Sequence, residues 1–519
     1  MAKPETTVRN PLIWADVPDV DVIRVGDVFY MVSTSMHSMP GCPIMKSRDL
    51  AHWELVSYVF DTFEDNPGHD LLDGKGIYGQ GSWAASLRYH KGMFYVCFNC
   101  NDTRQFYVYR TEDIENGPWE RTVFQEFFHD PALFFDDDGR VYVIYGGGSI
   151  HIAELTEDLR AVKPGGVRQL LMETESEGIG LRCEGGHAYK INGMYYLFYI
   201  EWPNTGSCMR REVCYRSASL LGPYERRVVL EDDMGYQNKG VAQGAVFDLP
   251  DGSWCSMLFQ DHDAVGRIPY LLPLRWEDGW PVIGDGGKVP ESFTVPLEPC
   301  GEKPLVISDS FCHGENRLAL NWQWNHNPDD SLWSFTERPG YLRLHTGAPA
   351  ESVLAARNTL TQRTEGPRCT AEVKLELSGL KPGERAGLIA LQSHFGTVGV
   401  RMEKEGCFLS MCVNDGSGME KEEERIPWKE SSVFLKIAFD FADSRDTAEF
   451  FYSGDGLEWI PLGSSLKMLY TLDHFMGYRI GLYAYAAPGS EKPAGYADFT
   501  SFRYEKDGTE MVAADRELP

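Results

Sequence analysis

Five times before residue 300 the chain repeats two phrases in the same order, and this repeat restricts the fold more than any other feature. The first phrase is a turn pair leading into aromatic and aliphatic residues. It reads GDVFYMVST from Gly26, KGMFYVCFN from Lys91, DGRVYVIYG from Asp138, NGMYYLFYI from Asn192 and DGSWCSMLF from Asp251. A Lys-Gly, Asp-Gly or Asn-Gly pair between apolar runs is a hairpin signal. The second phrase closes each unit: SRDLAHWELV, RTEDIENGPWERTV, LTEDLRAV, SASLLGPYERRVV and RWEDGWPVI. Units of roughly 45–65 residues with several strands each read as blades of a β-propeller. Few stretches before Pro299 keep a helical period. The expected fold is all-β, with a five-bladed propeller over residues 1–300. A β-sandwich is the main alternative for this region, but sandwich strands do not recur as paired phrases.

After Pro299 the pattern changes. The linker PLEPCGEKPLVI leads into runs with two-residue alternation, among them TAEVKLEL, AGLIALQS, VFLKIAFDF, AEFFYSG and RIGLYAYA. Such a series of short alternating strands predicts a β-sandwich over residues 301–519.

The repeat allows positions to be compared between blades. Counting back nine residues from Gly92, Gly139, Gly193 and Gly252 reaches Trp83, Asp130, Glu184 and Gln243. Counting back eight from Asp27 reaches Asp19. These positions are expected to begin the innermost strand of each blade, whose ends meet at one mouth of the channel. Three carboxylates, a tryptophan and a glutamine then face a common centre. Any one of the acids alone reads as an edge or turn residue, whereas equivalent placement in three blades points to a site. Two carboxyl groups flanking a glycosidic bond are the general solution for its hydrolysis, one as proton donor and one ionised to activate water or attack. A third acid nearby holds the base and tunes the donor.

Charge and cysteine usage narrow the partners. With 77 acidic against 49 basic side chains the formal net charge is −28, which repels phosphate backbones and anionic lipid. A neutral oligosaccharide is therefore the expected substrate, with neither nucleic acid nor membrane as partner; a homo-oligomer is compatible with these features. Aromatic residues make up 13% of the chain, enough to supply strand cores and also flat surfaces for sugar rings. The twelve cysteines sit at irregular spacings, and the one CxxC, Cys97 and Cys100, falls on a strand without a second pair to complete a zinc set. The segment MAKPETTVRNPLIW lacks a basic-then-apolar leader, so a cytoplasmic location with reduced thiols is expected.

Taken together, PDVDVIRVGDVFYMVST, GCPIMKSRDLAHWELV, HDPALFFDDDGRVYVIYGG, CEGGHAYKINGMYYLFY and FQDHDAVGRIP resemble glycoside hydrolase family 43. The resemblance spans all five units. It implies Asp19 as general base, Asp130 in HDPALF as the acid that orients the base and tunes the donor, and Glu184 in EGGH as general acid. It also implies inversion by single displacement, with carboxyl groups about 6.5–9.5 Å apart. Val20 stands where the family usually has proline, and Asp21 offers a rival base on the same face of the strand. Asp16 is a further rival, read as a loop residue. Many relatives carry histidine where Ala242 precedes Gln243. No cofactor is required for this chemistry, and a structural calcium is compatible with it.

Around these acids, Trp83 suits a stacking wall as well as a core position, and Arg267 suits a sugar contact as well as an ion pair. His37 and His262 are candidate pocket residues, each also readable as a satisfied loop histidine. The second region resembles the concanavalin A-like C-terminal domain of the β-xylosidase branch, chiefly through NWQWNHNPDDSLWSFTERPGYLRLHTG. In relatives that domain packs beside the propeller mouth, which implies exo-acting cleavage of short chains.

The expected activity is release of xylose from non-reducing ends of xylo-oligosaccharides, with α-L-arabinofuranosidase as the nearest alternative. A fructosidase-like enzyme also joins a five-bladed propeller to a sandwich. It retains configuration through an N-D-P-N-type nucleophile, where this chain has PDVD. A sugar-binding protein without activity is the alternative of another class, and it would be marked by a missing carboxylate. No strand–turn–helix context for a serine or cysteine nucleophile appears, and no P-loop or dinucleotide motif.

Overall fold

The computed structural model describes residues 4–72, 75–301, 303–414, 420–471, 474–490 and 495–512. Among these residues the first region forms five four-stranded antiparallel sheets in chain order, arranged as a five-bladed propeller. The innermost strands are Asp21–Val25, Ser82–His90, Ala132–Phe135, Ile179–Ile191 and Ala242–Asp248. Each contacts the next around a ring, and the last contacts the first. Outside the ring, Thr6–Arg9 pairs antiparallel with Ser292–Val295, which ties the start of the chain to the end of the fifth blade.

The first repeated phrase forms the hairpin between the two inner strands of every blade, as its turn residues predict. At Lys91–Gly92 and Asn192–Gly193 both turn residues take positive φ, matching the right-handed twist of the flanking strands. The second phrase runs into the outermost strand in blades 1, 2, 4 and 5. In blade 3 it ends earlier, before the outer strand Arg168–Glu173. Blades pack through aromatic residues: Phe60 of blade 1 stacks on Tyr109 of blade 2 at 5.7 Å and lies 5.6 Å from Phe98 of the same blade. Such pairs add about 0.5–1.5 kcal/mol each beyond their area burial.

The second region is a concanavalin A-like sandwich whose two sheets have eight and nine strands among the described residues, one of the eight coming from the propeller. The alternating runs Arg368–Glu376 and Ser432–Asp440 lie side by side, burying every second residue between the sheets. A short propeller strand, Ser38–Met39, adds to the edge of the eight-stranded sheet by pairing with Trp324 and Asn325. The two domains therefore share a sheet. Further backbone bonds cross the same interface, from His326 N to His37 O, from Gly366 N to Trp14 O and from Tyr478 N to Ala264 O.

Among the described residues no helix is long and apolar enough to cross a membrane.

Candidate active site

At or just ahead of each of the five inner strands one residue near the mouth takes left-handed backbone. These residues are Asp19 (φ 54°), Ala84 (24°), Asp130 (45°), Gly185 (64°) and Gln243 (63°). In blades 1, 3 and 5 the residue is the one counted from the repeat. In blades 2 and 4 it is the next one, so Trp83 and Glu184 stand one position before it. Asp19 and Asp130 lie two residues ahead of their strands instead of beginning them. In the other three blades the register shifts, between Trp83 and Ser86, Glu184 and His187, and Ala242 and Gly244. Such bulges turn a side chain out of the alternation and toward a site. The strained backbone is thus a repeated device, held by the ring of blades around it.

These turns bring the acids together. Asp130 Oδ2 accepts from the backbone N of Gly185, next to Glu184, at 2.8 Å. A side chain on Gly185 would meet Gln243 Cδ at 2.3 Å, so glycine is required both by its φ and by this contact. Gln243 Nε2 in turn donates to Asp19 Oδ1 at 3.2 Å. A small cavity lies between them, lined by Asp19, Asp130, Gly185, Gln243, Ser86 and His187 among others.

Asp19 is held on both oxygens, by Thr34 Oγ1 at 2.6 Å and by Arg267 Nη1 at 2.5 Å. Burial pushes its carboxyl above the usual range and neighbouring Asp130 adds to this, while Arg267 and Thr34 pull it back. Burial also raises Asp130, with His129 opposing and Glu184 reinforcing. Arg267 reaches a second acid, Asp261, through Nε at 3.0 Å. Asp261 also pairs with buried Arg210 and accepts from Tyr470 OH at 3.1 Å. Against the upward push of burial, Arg210 and Arg267 keep Asp261 below the usual carboxylate range.

Asp21 has a different place. Its side chain is fully buried, accepts from Leu87 N at 2.8 Å and from Arg88 Nη1 at 2.6 Å, and lies 3.6 Å from His187 Nε2. Groups from blades 1, 2 and 4 meet here, which puts them on the central channel. A guanidinium already answers the acid, and Ala242 offers no donor. Both bonds go to Oδ2, and Asp21 Oδ1, the oxygen facing His187, has no hydrogen-bond partner among the described residues. Among the described residues the sets of three metal-capable side chains within reach of one another are His69, Cys100 and Asp102, and His129, Asp130 and Glu184; neither contains Asp21. Asp16 is buried as well, accepting from Arg267 N at 2.9 Å; burial pushes it up to about 6.

The second domain supplies a wall that no local pattern announces. Phe475 packs edge-on against Trp83, with ring centroids 5.0 Å apart, and lies 4.0 Å under the Arg267 guanidinium. Met36, Met476 and Tyr470 complete this apolar cluster. Trp83 Nε1 donates to Gly79 O at 3.1 Å, which fixes its ring.

Two of the sequence-predicted pocket residues are not brought to the cavity. The His37 ring is buried at the domain interface between Tyr78, His326 and His474, at 4.8–5.0 Å. The adjoining strand Ser38–Met39 is claimed by the sandwich sheet, and His37 goes in with it. His262 stacks on Tyr236 at 4.2 Å and bonds Gln260 Oε1 at 2.7 Å, and burial pushes its pKa down to about 3. Asp261 ends its strand facing the arginines, and His262 lies just past it, at the head of the short turn Asp263–Val265. Thr34, Arg210, Asp261, Tyr470 and Phe475 were not singled out from sequence, and neither was His129, whose Nε2 lies 3.4 Å from Glu184 Oε2. The signal for His129 was its place directly before Asp130.

Comparison with known proteins agrees with this architecture. Residues 8–281 match the model for glycosyl hydrolases family 43, and residues 308–505 match the β-xylosidase C-terminal concanavalin A-like domain. A β-xylosidase of Formosa agariphila is 30% identical over 97% of this chain and 91% of its own length. A non-reducing end α-L-arabinofuranosidase of Bacteroides ovatus is 32% identical over 74% of each chain. The solved structure of a bifunctional GH43-CE protein of Bacteroides eggerthii superposes with a TM-score of 0.90 at 45% identity. It covers 97% of this chain, which spans only 64% of the length of that protein. With a matching model across the propeller and a second across the sandwich, the chain belongs to glycosyl hydrolases family 43.

Proposed function

We propose that the protein is an exo-acting β-xylosidase that releases xylose from the non-reducing ends of xylo-oligosaccharides with inversion. The reading rests on one observation above all: acids from blades 1, 3 and 4 converge at a mouth walled by Phe475 of the second domain. In this reading Glu184 donates its proton to the leaving oxygen while Asp19 takes a proton from the attacking water. Each contribution is worth about 10²–10⁴-fold in rate. Asp130 orients the base and, as a nearby negative group, tunes the donor. Arg267 favours the ionised form of Asp19 against the push of burial, and Gln243 fixes its orientation. Trp83 and Phe475 form an apolar wall for the terminal sugar, and a closed wall favours chain ends over chain interiors. The β-xylosidase of Formosa agariphila supports the sugar assignment. The twelve free thiols suit a reducing cytoplasm.

A second reading, α-L-arabinofuranosidase, is favoured by the similarity to the Bacteroides ovatus enzyme of that name. Rates on nitrophenyl β-xyloside and nitrophenyl α-arabinofuranoside, measured side by side, separate the two. NMR of the first-formed anomer tests inversion, and a retained anomer overturns the single-displacement reading.

A further inference from the structure

His129 occupies the space between the two acids of blades 3 and 4. Its Nε2 lies 3.4 Å from Glu184 Oε2 and its Nδ1 lies 3.7 Å from Asp130 Oδ1. The ring is thus bracketed by one carboxylate at each nitrogen. The side chain keeps 32% of its surface exposed, so the same ring also meets solvent. Gly147 lies beside it, where a Cβ would stand 3.5 Å from His129 Cδ2 and 3.7 Å from Glu184 Oε2. Behind the ring Phe127 lies parallel at 6.5 Å, itself covered at 3.6 Å by the Arg104 guanidinium. The charged groups facing the imidazole are therefore Asp130, Glu184 and, more weakly, Arg104, whose positive charge opposes the two acids. The acids win. Asp130 first, then Glu184, raise His129 to about 9 against the cost of burial, so the ring carries a proton at neutral pH.

We propose that His129 is a proton-carrying positioning residue that shares one proton with Glu184 and delivers it there for every cleavage. The inference rests on the reading of Glu184 as the general acid. Protons balance as follows. Glu184 gives its proton to the departing glycosidic oxygen as that bond breaks. The attacking water forms the new bond to the anomeric carbon and loses its proton to Asp19. The proton that Glu184 gives up is the one it shares with His129, delivered from Nε2 across 3.4 Å as the bond breaks, so a carboxylate and a neutral imidazole are left. The neutral imidazole then recovers a proton from solvent, and Asp19 releases one to solvent. Nδ1–H, facing Asp130, holds the ring in the orientation that keeps Nε2 on Glu184. Because the proton belongs to the pair, the ionisation that switches the acid off is a property of His129 and Glu184 together.

The test is the pH profile of His129→Gln on two substrates of unequal leaving group, xylobiose and nitrophenyl β-xyloside, or the matching arabinosides if those are cleaved. The basic limb of kcat/KM is expected to move to lower pH by about one unit or more. The xylobiose rate should fall about tenfold or more, and the nitrophenyl rate less, because a good leaving group needs less protonation. In His129→Ala, added imidazole should restore part of the xylobiose rate through the exposed face of the site. A basic limb that stays in place, with both substrates slowed equally and no rescue, overturns the proposal. Should His129→Gln fold poorly, His129→Ala with and without imidazole gives the same decision at one pH. Glu184→Gln separates the two levels. If it keeps full activity on xylobiose, the acid assignment fails; if it is inactive while His129→Gln behaves as the parent, only the role of His129 fails.

Discussion

Arg267 bridges two acids, with Nη1 2.5 Å from Asp19 Oδ1 and Nε 3.0 Å from Asp261 Oδ1. The guanidinium is the main group pulling Asp19 down against burial. In Arg267→Ala, Asp19 stays buried beside Asp130 with no cation. Its carboxyl then rises further, and because a base must be ionised, the acid limb of kcat/KM moves to higher pH. Removing one partner of a buried pair also costs about 3–5 kcal/mol of stability. Rates should therefore be taken well below the lowered Tm. Arg267→Lys, which keeps the charge but not the two-armed geometry, should shift the limb less. An unshifted limb in the alanine variant removes Arg267 from control of Asp19.

Asp19 and Asp21 should separate cleanly by mutation. Asp19→Asn is expected to lower kcat by about 10²–10⁴-fold, the worth of a general base, with a modest change in Tm. Asp21→Asn strands Arg88 in the channel, so its main effect should be a loss of about 3–5 kcal/mol in stability. Denaturant unfolding and kcat on nitrophenyl β-xyloside, run on both variants, check this. The reverse pattern would reassign the base to Asp21.

Phe475 is 5% exposed and touches both Trp83 and Arg267. Phe475→Ala should cost about 3–5 kcal/mol in stability, as for other buried aromatics. It should also raise KM for xylobiose and let longer products appear from xylohexaose as the wall opens. Product chromatography and steady-state kinetics read both effects. An unchanged product pattern with an unchanged KM would mean that Phe475 is packing alone.

The buried histidines predict an acid-sensitive domain interface. His474 is held down to about 4 by burial, and His37 and His326 well below their usual value. These rings stay neutral in the fold while the unfolded chain takes up protons below about pH 6.5. Their contribution is thus complete above pH 6.5 and is lost as pH falls from there toward 4. Each such ring costs about 2 kcal/mol by pH 5. Unfolding free energy measured from pH 7 to 5 should fall, and His474→Asn should flatten that slope by about one proton. A parallel slope in the variant would show that His474 titrates normally.

Much of the fold was legible because a blade is a local object. Its hairpins are marked by Lys-Gly, Asp-Gly and Asn-Gly pairs, and its strands alternate within a few dozen residues. Counting from those turns reached Asp19, Asp130, Glu184 and Gln243, which the structure brings around one cavity or beside it. The backbone detail was less legible. Left-handed φ and bulges shift blades 2 and 4 by one position, and these depend on neighbours in the next blade. His37 and His262 read from sequence either as pocket residues or as satisfied loop histidines, and local pattern could not separate the two. One ring went into the domain interface and the other onto Tyr236, past the end of the preceding strand.

By itself the sequence determined the five blades, the sandwich and the ring of acids at equivalent places, since hairpin turns and two-residue alternation act between near neighbours. Only the tertiary structure decided which acid is already paired, Asp21 with Arg88, and which is held at the cavity by Arg267. It also decided that Phe475 reaches the mouth. Those contacts join residues from 67 to 392 positions apart in the chain, and they form only once the ring has closed and the second domain has docked on it.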